Sequence, residues 1–369
     1  MQHELKRLSE QIISARESGQ HLRIVGGNTK SFYGEPLSKE ESAQVQDLNI
    51  SGYTGIVNYE PSELVITARA GTLLSEIEQT LAERNQMLAF EPPRFGPEST
   101  IGGVIASGLS GPRRVAVGGV SDFVLGARIL DTNGQLLSFG GEVMKNVAGY
   151  DVSRLLSGSM GSIGPAVELS IKVLPLPVRE QTQRLDVSQS EALNLLTSWR
   201  SLPLAISASA WIPSSNNDQG SLYVRVSGSN PAVDDTVKHI TGNMVNNDEA
   251  KALWDSLRDQ THDFFNSRPI WRVSVPPVTP PLDYSNTLIE WNGGLRWVAE
   301  NIDAEQVRSM AIGKGGHATL YQYQNKPDGV SIFQPLSSTL EKINRSMIEQ
   351  FDPSGIYKCG RLLPTVAGE

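Results

Sequence analysis

The chain has 369 residues, 39% of them hydrophobic, with 40 acidic against 32 basic side chains and a formal net charge of -8. That length accommodates one large domain or two of ordinary size, and the acidic balance argues against a nucleic-acid or anionic-membrane surface, both of which need clustered Lys and Arg. No stretch reaches the ~18 apolar residues of a membrane span, and the first residues are too charged for a signal peptide.

The single cysteine, Cys359, cannot form an internal disulfide, an all-cysteine zinc site or an iron–sulfur cluster, which takes about four thiolates. The five histidines (His3, His21, His239, His262 and His317) never fall at i, i+3 or i, i+4, so no helical metal pair is present. The expectation is a cytoplasmic protein of a reducing compartment with no metal centre of its own.

Leu5, Leu8 and Ile12, set among charged residues, predict an amphipathic helix at the start. Residues 22–25 read as a short strand entering a glycine-rich loop, and 56–57 and 64–70 as further strands. Leu74, Ile77 and Leu81 form the apolar stripe of a helix with Thr72 as its expected cap. Strands at 123–130 and 135–139 flank Asp131-Thr132-Asn133-Gly134, a pattern that predicts a hairpin with a type I′ turn. Residues 169–174 make the last strand before Pro175 and Pro177 interrupt an apolar run. Because proline has no amide proton to give a ladder, the domain boundary falls at about residue 178. Glycine clusters mainly before residue 165, whereas all six tryptophans follow residue 198. Beyond the seam, helices are expected at 191–200, 231–244 and 337–350, strands at 222–226, 271–275 and 319–323, and a proline-rich surface loop at 276–281. The pattern is mixed α+β with hairpins, not the strict alternation of a doubly wound sheet. It divides into 1–178, 179–350 and a C-terminal segment, 351–369.

Thirty-four glycines invite a nucleotide-binding reading. Neither the P-loop pattern nor a Rossmann Gly-x-Gly-x-x-Gly after a strand occurs, and Gly158, Gly161 and Gly164 have the wrong spacing. Gly26 to Ser31 does follow a strand. Its run of backbone amides forms either an anion-binding concavity or an ordinary strand-to-loop turn. Residues 97–108 read as a helix start capped by Ser99 or Thr100, yet Gly102 and Gly103 each cost roughly 1 kcal/mol in a helix. A chain accepts that cost where a flat ligand or a neighbouring element approaches the backbone.

Taken in order, Gly26-Gly27-Asn28-Thr29, the Glu98–Gly103 stretch, Gly111-Pro112-Arg113, residues 121–126, residues 144–151 and Gly161-Ser162-Ile163-Gly164 resemble the vanillyl-alcohol-oxidase, or PCMH-type, FAD-binding family over residues 20–178. Within it they are most similar to the E subunits of glycolate oxidases, companions of a larger flavin subunit and an iron–sulfur subunit. Residues 351–356 resemble that family's C-terminal segment, which returns to the FAD domain. The resemblance implies an α+β, two-subdomain PCMH-type FAD-binding fold followed by a smaller α+β cap domain. It implies that Gly26, Gly27, Asn28, Thr29, Lys30 and Ser31 hold the FAD pyrophosphate. Pro97, Glu98, Ser99, Thr100, Gly102, Gly103, Ala106 and Ser107 would run beside the ribityl chain and isoalloxazine, with Gly164 and Val167 at the adenine side. Three positions depart from the family pattern: Gly108 stands where Asn is frequent, Val117-Gly118-Gly119 where Tyr-Gly is, and Pro165 removes an amide donor. No His or Cys lies between His21 and His239, so FAD held by this stretch is non-covalent.

Oxidising glycolate to glyoxylate needs a base near the hydroxyl, a cationic clamp for the carboxylate and a flavin. Catalytic relatives supply a His-rich, metal-associated cluster from the second domain. Here the candidates are a lone histidine, His317, and Arg272 and Arg296, each beside a tryptophan; all three equally read as structural or surface residues. Lys145 and Tyr150 belong to the recognised motif, and Cys359 reads as a spacer. Lacking thiols for a relay and a nicotinamide site, the chain must give electrons to oxygen or to a partner. The expected function is therefore the FAD-binding subunit of a multi-subunit glycolate oxidase, peripheral to a membrane only through its partners. A self-sufficient 2-hydroxy-acid dehydrogenase with His317 as base, and a flavin-less scaffold, are the alternatives.

Overall fold

Helix α1 (Gln2–Ser18) buries Leu8, Ile12 and Ala15, which recur at four- and three-residue spacing, and ends at Gly19 with φ 69°, the left-handed cap glycine accepts without strain. This computed structural model describes residues 1–141, 151–214, 219–357 and 361–363, so Lys145, Tyr150, Cys359 and most of the 144–151 motif lie outside the described residues. Strand β1 (His21–Val25) follows, then α2 (Lys39–Gln44) and β2 (Val45–Asn49), which pairs with β1 in parallel. Next come β3 (Ile56–Glu60), β4 (Val65–Arg69), α3 (Leu74–Ala82) and β5 (Gln86–Met87). The first half closes with α4 (Ile101–Ser107), α5 (Arg114–Val117), β6 (Val124–Leu130), β7 (Leu136–Gly140), α6 (Val152–Leu155), β8 (Ala166–Lys172) and β9 (Leu174–Pro175).

Five of these strands form an antiparallel sheet in the order β3-β4-β8-β6-β7. Its core joins Leu8 and Ile12 of α1 to Ile66 and Ala68 of β4, Ile101 and Val104 of α4, and Leu169 and Ile171 of β8. Two local expectations need correction. Thr72 does not cap α3: Leu73 occupies the N-cap without a side-chain bond, and Thr72 Oγ1 instead accepts from Gly55 N at 2.9 Å. The turn after β6 is not type I′, because its central residues, Thr132 and Asn133, both lack positive φ and only the following Gly134 (φ 70°) has it. Gly134 N donates to Asp131 O at 3.0 Å and Asp131 N to Gln135 O at 2.9 Å, a turn ending in a glycine bulge. Asp131 Oδ1 accepts from Asn133 N and Gln135 N, which holds the side chain inside that turn.

The second half builds one eight-stranded antiparallel sheet, ordered β13-β10-β12-β11-β15-β16-β14-β17. Its strands are β10 (Arg179–Ser188), β11 (Ile206–Pro213), β12 (Gln219–Gly228), β13 (Asn243–Met244), β14 (Ile270–Ser274), β15 (Thr287–Glu290), β16 (Leu295–Val298) and β17 (His317–Gln322). The helices are α7 (Gln189–Trp199), α8 (Asn230–Ile240), α9 (Asn247–Asp259), α10 (Ala304–Gly313) and α11 (Ser338–Phe351). Strand β10 starts just past the Pro175–Pro177 seam and runs in unbroken register with β12 from Arg179↔Gly228 to Ser188↔Gln219. On one face Leu193, Leu196, Trp211 and Val224 pack together; on the other, Ala208, Ala210, Leu288 and Trp297 share a core with Tyr33 and Leu109 of the first half.

That shared core is braced by polar contacts. Glu91 accepts from Arg113 Nε at 3.2 Å and Arg225 Nη2 at 2.9 Å, and Arg113 also reaches Glu180 at 2.6 Å. Trp291 Nε1 donates to Gly111 O at 3.1 Å, so the Gly111-Pro112-Arg113 motif ties the first half to the second. The chain end returns to the first core, where Leu22 N donates to Ile356 O at 2.7 Å and Tyr357 is buried.

Candidate functional site

At the end of β1 the chain turns sharply through Gly26 to Ser31, with Asn28 in the left-handed region at φ 56°. Ser31 N and Tyr33 N fold back on Asn28 O and Lys30 O, but the amides of Gly26, Gly27, Asn28, Thr29 and Lys30 meet no acceptor among the described residues. Successive N–H groups pointing into one concavity are a fixed partial positive charge. The glycines are demanded by contact: a Cβ on Gly27 would lie 1.5 Å from Glu98 O, and one on Gly26 2.6 Å from Thr100 Oγ1.

The facing wall is the start of α4, where Thr100 is the N-cap and its hydroxyl accepts from Gly103 N at 3.3 Å. The two adjacent glycines do different things. Gly102 N donates to Ala70 O at 2.8 Å, and a Cβ there would sit 2.9 Å from Ala70 Cβ, so this glycine serves packing of α4 on the end of β4. A Cβ on Gly103 would meet only Thr100 Oγ1, at 3.4 Å; this residue faces the opening. The resulting cleft, about 100 Å³, is lined by Gly26 to Ser31, Thr100, Gly103, Ala106 and Ser107, together with Arg23, Met160 and Arg361. It adjoins through Thr29 a larger cavity of about 790 Å³ walled by Phe32, Phe95, Pro97 and Tyr321.

Lys30 sits between the two spaces, its Nζ donating to Ser99 Oγ at 2.7 Å, and burial pushes its ammonium down to about 8 against an opposing pull from Asp259. Arg361 Nη2 donates to Ser31 O at 3.0 Å and to Tyr33 O, stitching the chain end onto the loop. Sequence reading misses Arg361, Arg23 and Met160; only the position of Arg361, directly after Lys358-Cys359-Gly360, hinted at it. Gly164 and Val167 are not brought to the cleft. Val167 is 1% exposed with its carbonyl bonded to Ala70 N, and Gly164 packs under the Tyr357 ring. Ser107 lines the cleft but spends its hydroxyl on Val104 O.

His317 and Arg272 are brought together elsewhere, in a cavity of about 720 Å³ between the end of the eight-stranded sheet and α11. Strand pairing sets Arg272 opposite Thr319 and Ser274 opposite His317. Burial, then the neighbouring Arg272 charge, lowers the His317 pKa, so its imidazole is neutral at pH 7. The Arg272 guanidinium stacks on Trp291 and Trp297 at 5.1 and 5.9 Å. Arg296 is not a surface clamp: it is fully buried, its Nε and Nη2 tied to Gly293 O and Thr279 O at 2.9 Å, and burial lowers it to about 10. Among the described residues no group of three or more His, Cys, Asp or Glu side chains is arranged to hold a metal.

Residues 4–140 match a family model described as an FAD binding domain. The fold is similar to that of p-cresol methylhydroxylase with substrate bound, at a TM-score of 0.68 and 13% identity, covering 99% of this chain and 88% of that one. It is therefore a PCMH-type α+β FAD-binding fold. Over 357 residues, 96% of each chain, the sequence is 40% identical to the glycolate oxidase subunit GlcE of Escherichia coli (strain K12). It is 32% identical over 128 residues to the glycolate oxidase subunit GlcD of Bacillus subtilis (strain 168), covering 34% of this chain and 27% of that one. The chain belongs to the family of glycolate oxidase subunit GlcE, and it is a flavin-dependent oxidoreductase.

Proposed function

We propose that this chain is the FAD-binding subunit of a multi-subunit glycolate oxidase, holding FAD non-covalently and passing electrons to an iron–sulfur partner subunit. The observation that carries the reading is the set of amides from Gly26 to Lys30, unpartnered among the described residues, in a loop set so close to Glu98 that Gly27 admits no Cβ. A diphosphate supplies the acceptors those donors lack. Lys30 adds a cation at the cleft edge, Gly103 leaves room for the sugar-alcohol chain, and Phe32, Phe95 and Tyr321 offer a flat, water-excluding wall for the rings. Bound FAD would supply the two-electron acceptor for oxidation of an alcohol carbon.

With one cysteine the chain has no ligand set for an iron–sulfur cluster of its own, so in this reading the cluster belongs to a companion. No described helix is long and apolar enough to cross a membrane, and any membrane association would come through the companions. A second reading, oxidation by this chain alone, is favoured by one observation: a neutral His317 and an Arg272 without an acid partner among the described residues share a cavity. There Arg272 would pair with the carboxylate while an imidazole nitrogen of His317 accepts the hydroxyl proton. Native co-purification with flavin and iron analysis, followed by glycolate-dependent dye reduction with and without partners, tests both. Flavin in this chain and activity only in the complex support the first reading; equal activity of the isolated chain selects the second. A colourless chain after soaking in FAD overturns both.

A further inference from the structure

The cavity around Arg272 has a polar end and an apolar end. At the polar end, the stacked guanidinium has no carboxylate or carbonyl acceptor among the described residues, and the Tyr33 hydroxyl and His317 ring beside it are likewise unpartnered. Glu290 lies within electrostatic reach, but it is bonded to Trp297 Nε1 at 2.6 Å, and burial pushes its carboxyl up to about 7. It is therefore no full counter-charge at neutral pH. A half-buried guanidinium without an acceptor is costly, and its planar fork matches one carboxylate.

At the other end, Phe333, Leu336 and Leu340 make an apolar wall, with Leu336 and Leu340 still 38% and 51% exposed. The space is about 720 Å³, within the range of roughly 300–1,000 Å³ that encloses drug-sized ligands and far beyond what a two-carbon acid fills. Arg345 also lines this space but is paired with Glu341 at 2.8 Å, so Arg272 is the cation there that has no carboxylate among the described residues, and beside the leucines it selects a monoanion with an apolar tail over a phosphate or a dicarboxylate.

We propose that this cavity binds medium-chain 2-hydroxy monocarboxylates, with the carboxylate on Arg272 and Tyr33, the hydroxyl at His317, and the hydrocarbon chain along Phe333, Leu336 and Leu340. Turnover of such an acid rests on the oxidoreductase reading above; its binding requires the cavity alone.

Calorimetry on the full chain tests this with glycolate, 2-hydroxybutanoate, 2-hydroxyhexanoate and 2-hydroxyoctanoate, with flavin content read separately from visible absorbance. Affinity should rise about fourfold per added methylene that the wall buries. Arg272→Gln should weaken 2-hydroxyoctanoate at least tenfold while leaving 1-octanol binding in place, which reports an intact cavity. Leu340→Asp, at an exposed helix position, should flatten the series. Equal affinity across the four acids, or wild-type binding by Arg272→Gln, overturns the proposal. A flavin-loaded chain with a flat series overturns this site alone. A chain that stays colourless in excess FAD yet shows the series supports this site and overturns the cofactor reading.

Discussion

Gly102 and Gly103 are adjacent in sequence yet should respond oppositely to alanine. In Gly103→Ala the new methyl meets only Thr100 Oγ1 at 3.4 Å, an ordinary contact. Replacing glycine by alanine in a helix is worth about 1 kcal/mol, so the FAD-free protein should gain roughly 0.5–1 kcal/mol and a Tm higher by about 1–3 °C. The same methyl projects into a cleft of about 100 Å³, and FAD affinity should fall at least tenfold, or about 1.4 kcal/mol. In Gly102→Ala the methyl would lie 2.9 Å from both Ala70 Cβ and Ala70 O. Overpacking of that kind costs about 1–3 kcal/mol, which the helix preference offsets only partly. That variant should lose stability before it loses flavin. Thermal unfolding of the FAD-free forms by circular dichroism, with FAD dissociation constants from flavin fluorescence, separates the two. Wild-type FAD affinity in a Gly103→Ala protein of raised Tm would refute the placement of the cofactor in this cleft.

Gly27→Ala has no such compromise: with Glu98 O 1.5 Å from the new carbon, the loop must leave its wall, and the protein should purify without flavin. Lys30, lowered to about 8 when free, regains its ordinary basicity beside a diphosphate, so FAD binding near pH 8–9 should take up a proton; calorimetry in buffers of different ionisation enthalpy reads the uptake, and Lys30→Met should abolish it. In the FAD-free protein the same lowered value means the unfolded chain binds more protons above about pH 8, so stability should rise from there toward pH 10.5 in wild type but not in Lys30→Met. Glu91→Gln leaves Arg113 and Arg225 buried without their shared carboxylate and should cost about 3–5 kcal/mol in denaturant unfolding. Because those arginines hold the Glu91 pKa below 4.5, its contribution should be present above that pH and lost as pH falls through the lower folded value.

The local elements of the first half were legible because their cues are local: Leu8 and Ile12 at helical spacing, the Asn133-Gly134 turn, and Thr100 as a cap. In the second half, strands β10, β11, β13, β15 and β16 and helices α9 and α10 were not foreseen. In β10 the sequence Arg179-Glu180-Gln181-Thr182-Gln183-Arg184 is polar throughout, yet Thr182 and Gln183 are buried because Trp254 and the β12 ladder cover them. Such burial is decided by partners some forty residues or more away, not by any short window. The glycine cradle was half legible: Gly26 to Ser31 alone left an anion-binding concavity and an ordinary turn open, and only the later motifs in order favoured the first, whereas Arg361 reaches Ser31 across 330 positions. Arg296 misled for a related reason. A charged residue reads as surface, but carbonyls at Gly293 and Thr279 make its burial possible.

A titration of FAD against riboflavin into flavin-free protein asks the central question most directly, since the two ligands share the ring system and differ in the diphosphate and adenosine. If the five amides from Gly26 to Lys30 grip the diphosphate, FAD should bind at least about a hundredfold more tightly than riboflavin, as a few charge-assisted hydrogen bonds of about 1.5–3 kcal/mol each allow. Addition of inorganic pyrophosphate should compete with FAD and leave riboflavin untouched. Equal affinity for the two flavins, with no competition from pyrophosphate, would contradict the account.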